Sequence, residues 1–262
     1  MNILKKIIVH KYKEVKANKK MVSTNQLEKS VFMDKPVFSM KEQIISKEKS
    51  GIIAEIKRQS PSKGIINPNV NVEQISKGYV EAGVSGISVL TDVNYFGGSN
   101  EDLKEVRKHN NCPVLRKDFM VDEYQILEAK AMGADIILLI AAGIDVKKCS
   151  ELASFANSLG LEILLEIHNK NEFHSHYNQF VSIVGINNRN LETFKVSTDI
   201  SKELAEIIPS EITKISESGI SKPESVIELR KYGYDGFLMG EAFMKTGSPQ
   251  FACREFINQI SK

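Results

Sequence analysis

From residue 51 onward the chain alternates two kinds of segment. Short apolar, β-branched runs recur as IIAEI from Ile52, GISVL from Gly86, PVL from Pro113, DIILLI from Asp135, EILLEI from Glu162, VSIVGI from Val181, ITKIS from Ile212 and GFLMG from Gly236. Between them lie stretches of helical periodicity such as VEQISKGYVEAG, EDLKEVRKH, EYQILEAKAMGA, KKCSELASFANSLG and PESVIELRKYGYD. Continuous apolar strands separated by single helices predict parallel pairing with both faces covered, because a parallel connection has to cross the sheet. Helices run into Gly83, Gly133, Gly160 and Gly233 just before the next strand, where a residue with positive φ ends a helix cheaply.

Two parallel architectures are compatible with this alternation, an open doubly wound sheet and a closed barrel. The chain has neither GxGxxG after its first strand nor GxxxxGK[ST], the nucleotide-binding signatures of open sheets. Eight strands at roughly 26 residues per βα unit match the (β/α)8 proportion. The expected fold is therefore α/β, a (β/α)8 TIM barrel over residues 51–262 with an extra N-terminal helical segment over 1–50, together a single domain, 1–262.

In that segment Leu4, Ile7, Ile8, Tyr12 and Val15 recur at helical spacing, and residues 1–20 carry seven lysines against one glutamate. A helix docked on the body by its apolar stripe, with its lysines solvated, accounts for this; lysines that attract an anionic substrate or surface are the alternative. The local charge is +6, which leaves −4 on the rest of a chain whose formal total is +2. Such a balance excludes a strongly basic nucleic-acid protein. Apolar runs fall well short of the ~18 residues a membrane span requires, and the interleaved lysines of the first residues do not form a signal-peptide core. Cys112, Cys149 and Cys253 are scattered and without CxxC spacing, as expected of reduced thiols in a cytoplasmic protein.

In a barrel of this kind chemistry sits at the C-terminal strand ends. Alternation along the first strand places Glu55 and Lys57 on one face, and if that face is the interior the two charges meet. An ion pair that merely fixes register would satisfy this pair alone. The other strand ends add Arg116, Lys117, Asp118 and Phe119, then Glu166, then Asn187, Asn188, Arg189 and Asn190, then Glu217, Ser218 and Gly219, and last Gly240 and Glu241. Two lysines and three glutamates converging at one mouth point to proton transfer and anion binding. Ser218-Gly219 and Gly240 lack bulk, so backbone N–H groups there can approach a phosphate closely.

The segments IAEIKRQSPSKG (53–64), LTDVNYFGGS (90–99), LRKDF (115–119), LLEIH (164–168), GINNRNL (185–191), ESGI (217–220) and LMGEAFM (238–244) closely resemble indole-3-glycerol phosphate synthase, in order along the chain. The first-strand motif and RKDF do not suggest the related barrels phosphoribosylanthranilate isomerase and the tryptophan synthase α subunit. The resemblance implies the ring-closing step of tryptophan biosynthesis, in which 1-(2-carboxyphenylamino)-1-deoxyribulose 5-phosphate loses CO2 and water, with neither metal nor organic cofactor. It also implies roles. Lys117 would protonate the ketone oxygen as the aromatic ring carbon attacks, and Glu166 would stabilise positive charge on the anilino side. Lys57 would bind the carboxylate or the leaving hydroxyl, with Glu55 its base or partner in the dehydration. Asn187, Arg189 and Glu217 look like polar support, while Ser60, Gly219, Gly240 and Glu241 match positions around the phosphate. The two lysines could exchange roles. A lysine acting as an acid near neutral pH is expected to have a lowered pKa, and Lys57 near Lys117 would supply that effect.

Phe96 could stack on the substrate ring or cover apolar core. Gly143 stands where the family more often has a bulky aliphatic residue, which would reshape the apolar slot for the substrate. His168, His174 and His176 with Glu172 match no common zinc spacing and are read as non-metal. The competing readings are another barrel acting on a phosphorylated sugar, an aldolase with a Schiff-base lysine among them, a non-catalytic phosphate-binding module, or an RNA binder using the basic helix. Protein partners are not indicated.

Overall fold

The computed structural model describes residues 2–260. Its strands are β1 (Ile52–Ile56), β2 (Gln59–Ser60), β3 (Gly64–Ile65), β4 (Gly86–Leu90), β5 (Val114–Lys117), β6 (Ile136–Ile140), β7 (Glu162–Ile167), β8 (Ile183–Asn187), β9 (Lys214–Glu217) and β10 (Gly236–Met239). β1 and β4 to β10 pair in parallel and close into a barrel, each strand beside its neighbour in sequence and β10 beside β1. All eight apolar runs of the sequence are strands of that barrel. The antiparallel pair β2–β3, unheralded by any apolar run, is a small hairpin in the loop after β1.

The helices are α1 (Ile3–Met21), α2 (Thr24–Leu27), α3 (Met40–Ile45), α4 (Val72–Glu81), α5 (Val93–Phe96), α6 (Asn100–His109) and α7 (Glu123–Ala131). They continue as α8 (Val146–Ser158), α9 (Lys170–His176), α10 (Asp199–Ala205), α11 (Pro223–Arg230), α12 (Glu241–Met244) and α13 (Pro249–Ile260). Asn71, Ser99, Asp122, Asp145 and Asn169 cap α4, α6, α7, α8 and α9 with side-chain oxygens on first-turn N–H groups, each worth about 1 kcal/mol. Gly83, Gly133, Gly160 and Gly233 all take positive φ after their helices, as the sequence pattern predicts.

Strand alternation divides the core in two. Outward side chains such as Ile52, Ala54, Val114, Ile137, Leu139, Ile163, Leu165 and Val184 pack under the helices. Inward ones, including Ile53, Leu115, Ile136, Leu138, Leu164, Ile183, Ile215 and Leu238, fill the barrel with Met40 and Ile44 of α3 as a plug. Gly86 makes room for that plug, since a Cβ there would lie 2.4 Å from Met40 Sδ. The Glu162 carboxylate holds α3 in place, accepting from Ser39 Oγ at 2.5 Å and the Met40 N–H at 2.8 Å.

α1 lies across the opposite end, and here one expectation is corrected. Leu4, Ile7 and Val15 are buried as the stripe implies, but Tyr12 is 53% exposed and Lys11, expected in solvent, is fully buried. Its ammonium lies 2.9 Å from each of Glu14, Asp92 and Asp118. Burial alone would push Lys11 down; Asp118, Asp92 and Glu14 outweigh it and hold the ammonium above the usual lysine range. The helix is thus fastened through ions from the loop after β4 and the end of β5. Asp118 also meets Arg116, which points out of the barrel to Glu128 at 2.6 Å.

Removing the Lys11 charge leaves the buried Asp92 without a cation among the described residues and Asp118 with Arg116 alone. Lys11→Met is expected to lose about 3–5 kcal/mol of stability in urea unfolding, with part recovered on adding Asp118→Asn. A loss under about 1 kcal/mol would show that the ion cluster does not hold the helix.

Candidate active site

The inward rows change character as they rise. On β1 the order is Ile53, then Glu55, with Lys57 just past the strand; on β5, Leu115 and Lys117; on β7, Leu164 and Glu166; on β9, Ile215 and Glu217. These are the first, third, fifth and seventh strands of the barrel, and alternate strands supply one interior layer in this fold. The charged residues converge because register puts them in the same layer.

The intervening strands supply the space. A Cβ on Gly185 of β8 would lie 2.3 Å from Glu217 Oε1, and one on Gly240, after β10, 2.5 Å from Glu55 Oε1. Gly240 therefore accommodates a carboxylate, a role that its sequence position did not reveal. Gly185 was overlooked altogether; it sits one alternation step before Asn187, which was the available signal.

Lys57 Nζ donates to Glu55 Oε1 at 2.5 Å, so the charges read from alternation do meet. Lys117 Nζ donates to Glu217 Oε2 and, at 3.3 Å, to Glu166 Oε2. Asn187 Nδ2 donates to the other Glu166 oxygen at 3.0 Å. Burial alone would lower the Lys117 pKa, but Glu217, Glu166 and Glu55 overcome it and raise the ammonium above the usual lysine range. The expectation of a lowered pKa is thereby corrected: the groups around Lys117 are carboxylates, and they outweigh any neighbouring cation.

Two buried carboxylates sharing one ammonium cannot be equally stable as anions. Burial works against the Glu166 charge, but Lys117, His168 and the Asn187 hydrogen bond hold its pKa below the usual range. Among the described residues Glu217 has Lys117 alone, and its Oε1 is buried without a hydrogen-bond partner. Burial together with Glu166 and Glu55 outweighs Lys117 and pushes Glu217 up to about 7.

All fourteen candidate residues of the sequence border one cavity of about 190 Å³. Glu55, Lys57, Lys117, Glu166, Asn187 and Glu217 form its charged wall, and Leu138, Ile140 and Leu238 its apolar side. Phe96 of α5 and Phe119 border it as a tilted ring pair 5.9 Å apart. Ser60, Ser218, Gly219, Gly240, Arg189 and Glu241 border it as well. Ser218 and Gly219 both have positive φ, 66° and 76°, and Asn188 Nδ2 donates to the Ser218 carbonyl at 3.1 Å. The Glu241 carboxylate lies 3.6 Å from Lys63 and 3.9 Å from Arg189, holding two cations beside these loops.

Ile3, Leu4 and Ile7 complete the apolar lining, so the leader helix roofs the site, which its amphipathic stripe did not disclose. Gly143 does not border the cavity. A Cβ there would lie 3.4 Å from Ile8 and 3.8 Å from Leu4, ordinary contact distances, so the position faces α1 and would admit a small side chain.

A model of the indole-3-glycerol phosphate synthase family matches residues 4–256. The chain is 46% identical over 259 residues to the indole-3-glycerol phosphate synthase of Bacteroides thetaiotaomicron, with 99% of each chain covered. It is 39% identical over 251 residues to that of Bordetella pertussis and 41% identical over 252 residues to that of Laribacter hongkongensis, in both cases covering 95% of this chain and 96% of the relative. Among solved structures, a mutant tryptophan synthase α-subunit from Pyrococcus furiosus superposes with a TM-score of 0.60 at 16% identity, covering 81% of this chain and 98% of that one. At that identity the likeness speaks for the fold alone.

The Glu217 carboxyl offers a direct check. A raised carboxyl pKa favours the protonated folded form, so its contribution to stability is fullest below about 4.5 and is lost as pH rises towards 7. Carbon NMR of glutamate-labelled protein should show one carboxyl titrating near 7 that is absent from Glu217→Gln. Titration of every glutamate below about 5 would contradict the asymmetry between Glu166 and Glu217.

Proposed function

The chain belongs to the indole-3-glycerol phosphate synthase family, and from that premise we propose how its residues divide the work. The activity is indole-3-glycerol phosphate synthesis in the tryptophan pathway, a carboxy-lyase reaction on a barrel. The substrate, 1-(2-carboxyphenylamino)-1-deoxyribulose 5-phosphate, has an aromatic carboxylate at one end and a phosphate at the other. In this reading the phosphate lies against the loops bearing Ser218, Gly219, Gly240 and Glu241, near Lys63 and Arg189, with Ser60 beside it. The anilino ring lies on the apolar side, against Phe96, Phe119 and the underside of α1.

Ring closure begins when the ring carbon carrying the carboxylate attacks the ketone carbon. The ketone oxygen gains the electron pair and becomes an alkoxide, and Lys117 gives it a proton. A firmly held ammonium suits this step, because a developing alkoxide is more basic than any lysine and no lowering of the lysine pKa is needed. Glu166, kept ionised by its donors, faces the positive charge that spreads onto the anilino nitrogen. Loss of CO2 returns the bonding electrons to the ring and restores aromaticity. Dehydration follows: the new hydroxyl leaves as water with a proton from the lysine side, and Glu55 takes the proton from the carbon next to nitrogen. Lys57, paired with Glu55, stands where it can hold the carboxylate before it leaves and assist the hydroxyl afterwards. Glu217 and Asn187 hold Lys117 and Glu166 in position.

The observation that carries this assignment is the Lys117 ammonium between Glu166 and Glu217 at the centre of the cavity. The leader helix is read as part of the same working unit as the barrel, since it roofs the site. The buried free thiols of Cys112, Cys149 and Cys253 suit a cytoplasmic biosynthetic enzyme.

Lys117→Ala tests the acid role. Turnover of the carboxyphenylamino substrate should fall at least about 100-fold, while the unreactive alcohol analogue of the ketone still binds. Turnover equal to wild type would remove Lys117 from the chemistry.

A further inference from the structure

His168 lies two residues beyond Glu166, on the same side of the chain by strand alternation, and the chemistry above leaves it unused. Its side chain is only 12% exposed. The Nδ1 atom lies 3.1 Å from Glu172 Oε2, which also accepts the His168 backbone N–H at 2.8 Å. Glu172 is itself fixed in the first turn of α9. Its N–H donates to Asn169 Oδ1 at 2.9 Å, and Asn169 Nδ2 donates to its Oε1 at 2.7 Å.

With Nδ1 committed to Glu172, Nε2 is the nitrogen left over. It is buried, has no hydrogen-bond partner among the described residues, and lies 3.6 Å from Glu166 Oε1. That is a few tenths of an ångström beyond hydrogen-bond length. A buried ring nitrogen left unpaired is costly, and a small movement of either group would pair it.

The charged groups facing the ring are Glu166 from β7, Glu172 from α9 and, further off, Glu217 from β9; Lys117 is reached through Glu166. Burial opposes a charge on His168, but the Glu172 hydrogen bond and the three carboxylates outweigh it and raise its pKa. Glu166 thus lies between the Lys117 ammonium at Oε2 and the His168 ring at Oε1, where the surrounding carboxylates favour the charged form of the ring. When Lys117 follows the ketone oxygen, the Asn187 amide and the His168 ring are what remain at Oε1.

Resting on the role given to Glu166, we propose that His168 is a positioning residue: clamped by Glu172, its imidazolium closes on Glu166 as Lys117 turns to the ketone, keeping the carboxylate ionised and aimed at the anilino nitrogen. The ring acts through Glu166 and touches no substrate atom.

The test is the pH dependence of kcat and KM in wild type, His168→Ala, Glu172→Gln, Glu166→Gln and the double variant His168→Ala/Glu166→Gln. In His168→Ala, kcat should fall about 10-fold or more with KM within about two-fold, and the acidic limb of kcat should move up by about one pH unit as Glu166 loses a cation. Added imidazole should restore part of that rate. Glu172→Gln keeps α9 capped but lets the ring lose its proton earlier, so kcat should begin to fall at a lower pH than in wild type. His168→Ala should cost nothing further once Glu166 is Gln. An unmoved pH profile in both His168→Ala and Glu172→Gln would overturn the proposal, as would an equal loss from His168→Ala with and without Glu166. Wild-type turnover by Glu166→Gln would instead overturn the reading of Glu166, and this proposal with it.

Discussion

One buried ammonium shared by two carboxylates sets the terms for the rest of the molecule. Burying Lys117 without partners would cost several kcal/mol, so Glu166 and Glu217 have to reach it from strands on other sides of the barrel. Only a closed sheet in fixed register delivers them to one layer. Two carboxylates of the layer take their space from glycines, Gly185 on β8 beside Glu217 and Gly240 just after β10 beside Glu55. The layer is over-supplied with negative charge, and the surplus falls on Glu217, which is buried beside both Glu166 and Glu55.

The leader helix answers a second constraint. A cavity that gathers this much charge is useful for catalysis only when water is kept from it, because low local dielectric strengthens each interaction inside. α1 supplies that cover with Ile3, Leu4 and Ile7, and Lys11 fastens it to Asp92 and to Asp118, which borders the cavity. Asp118 follows Lys117 directly in sequence. Strand alternation sends the lysine into the cavity while the aspartate pairs with the helix and with Arg116, so one short segment links catalysis, roof and outer wall.

Much of this was legible in the residues alone. Alternating apolar runs and helical stretches specify a parallel barrel, and polar groups clustered after the runs specify its working end. Where the reading stopped short, the cause was physical. Position 11 falls on the helical stripe between Ile7 and Val15, but a lysine there reads as solvent-facing unless its distant aspartates are known. The proton affinity of Lys117 depends on three glutamates separated from it by about 50 to 100 residues, and sequence cannot weigh their distances against burial. His168 shares the alternation of Glu166, yet in the chain its conspicuous neighbours are other histidines, and a spacing that excludes zinc does not disclose the carboxylate beside it.

The most direct test of the central interaction is the proton affinity of Lys117 in the free enzyme, read by carbon NMR of protein labelled at the lysine ε-carbon. The resonance absent from Lys117→Ala should titrate above the exposed lysines in wild type, and should move down in Glu217→Gln as one of its anions is removed. A Lys117 that titrates below the exposed lysines, indifferent to Glu217, would contradict an ammonium held by carboxylates and return the site to a lysine made acidic by its neighbours.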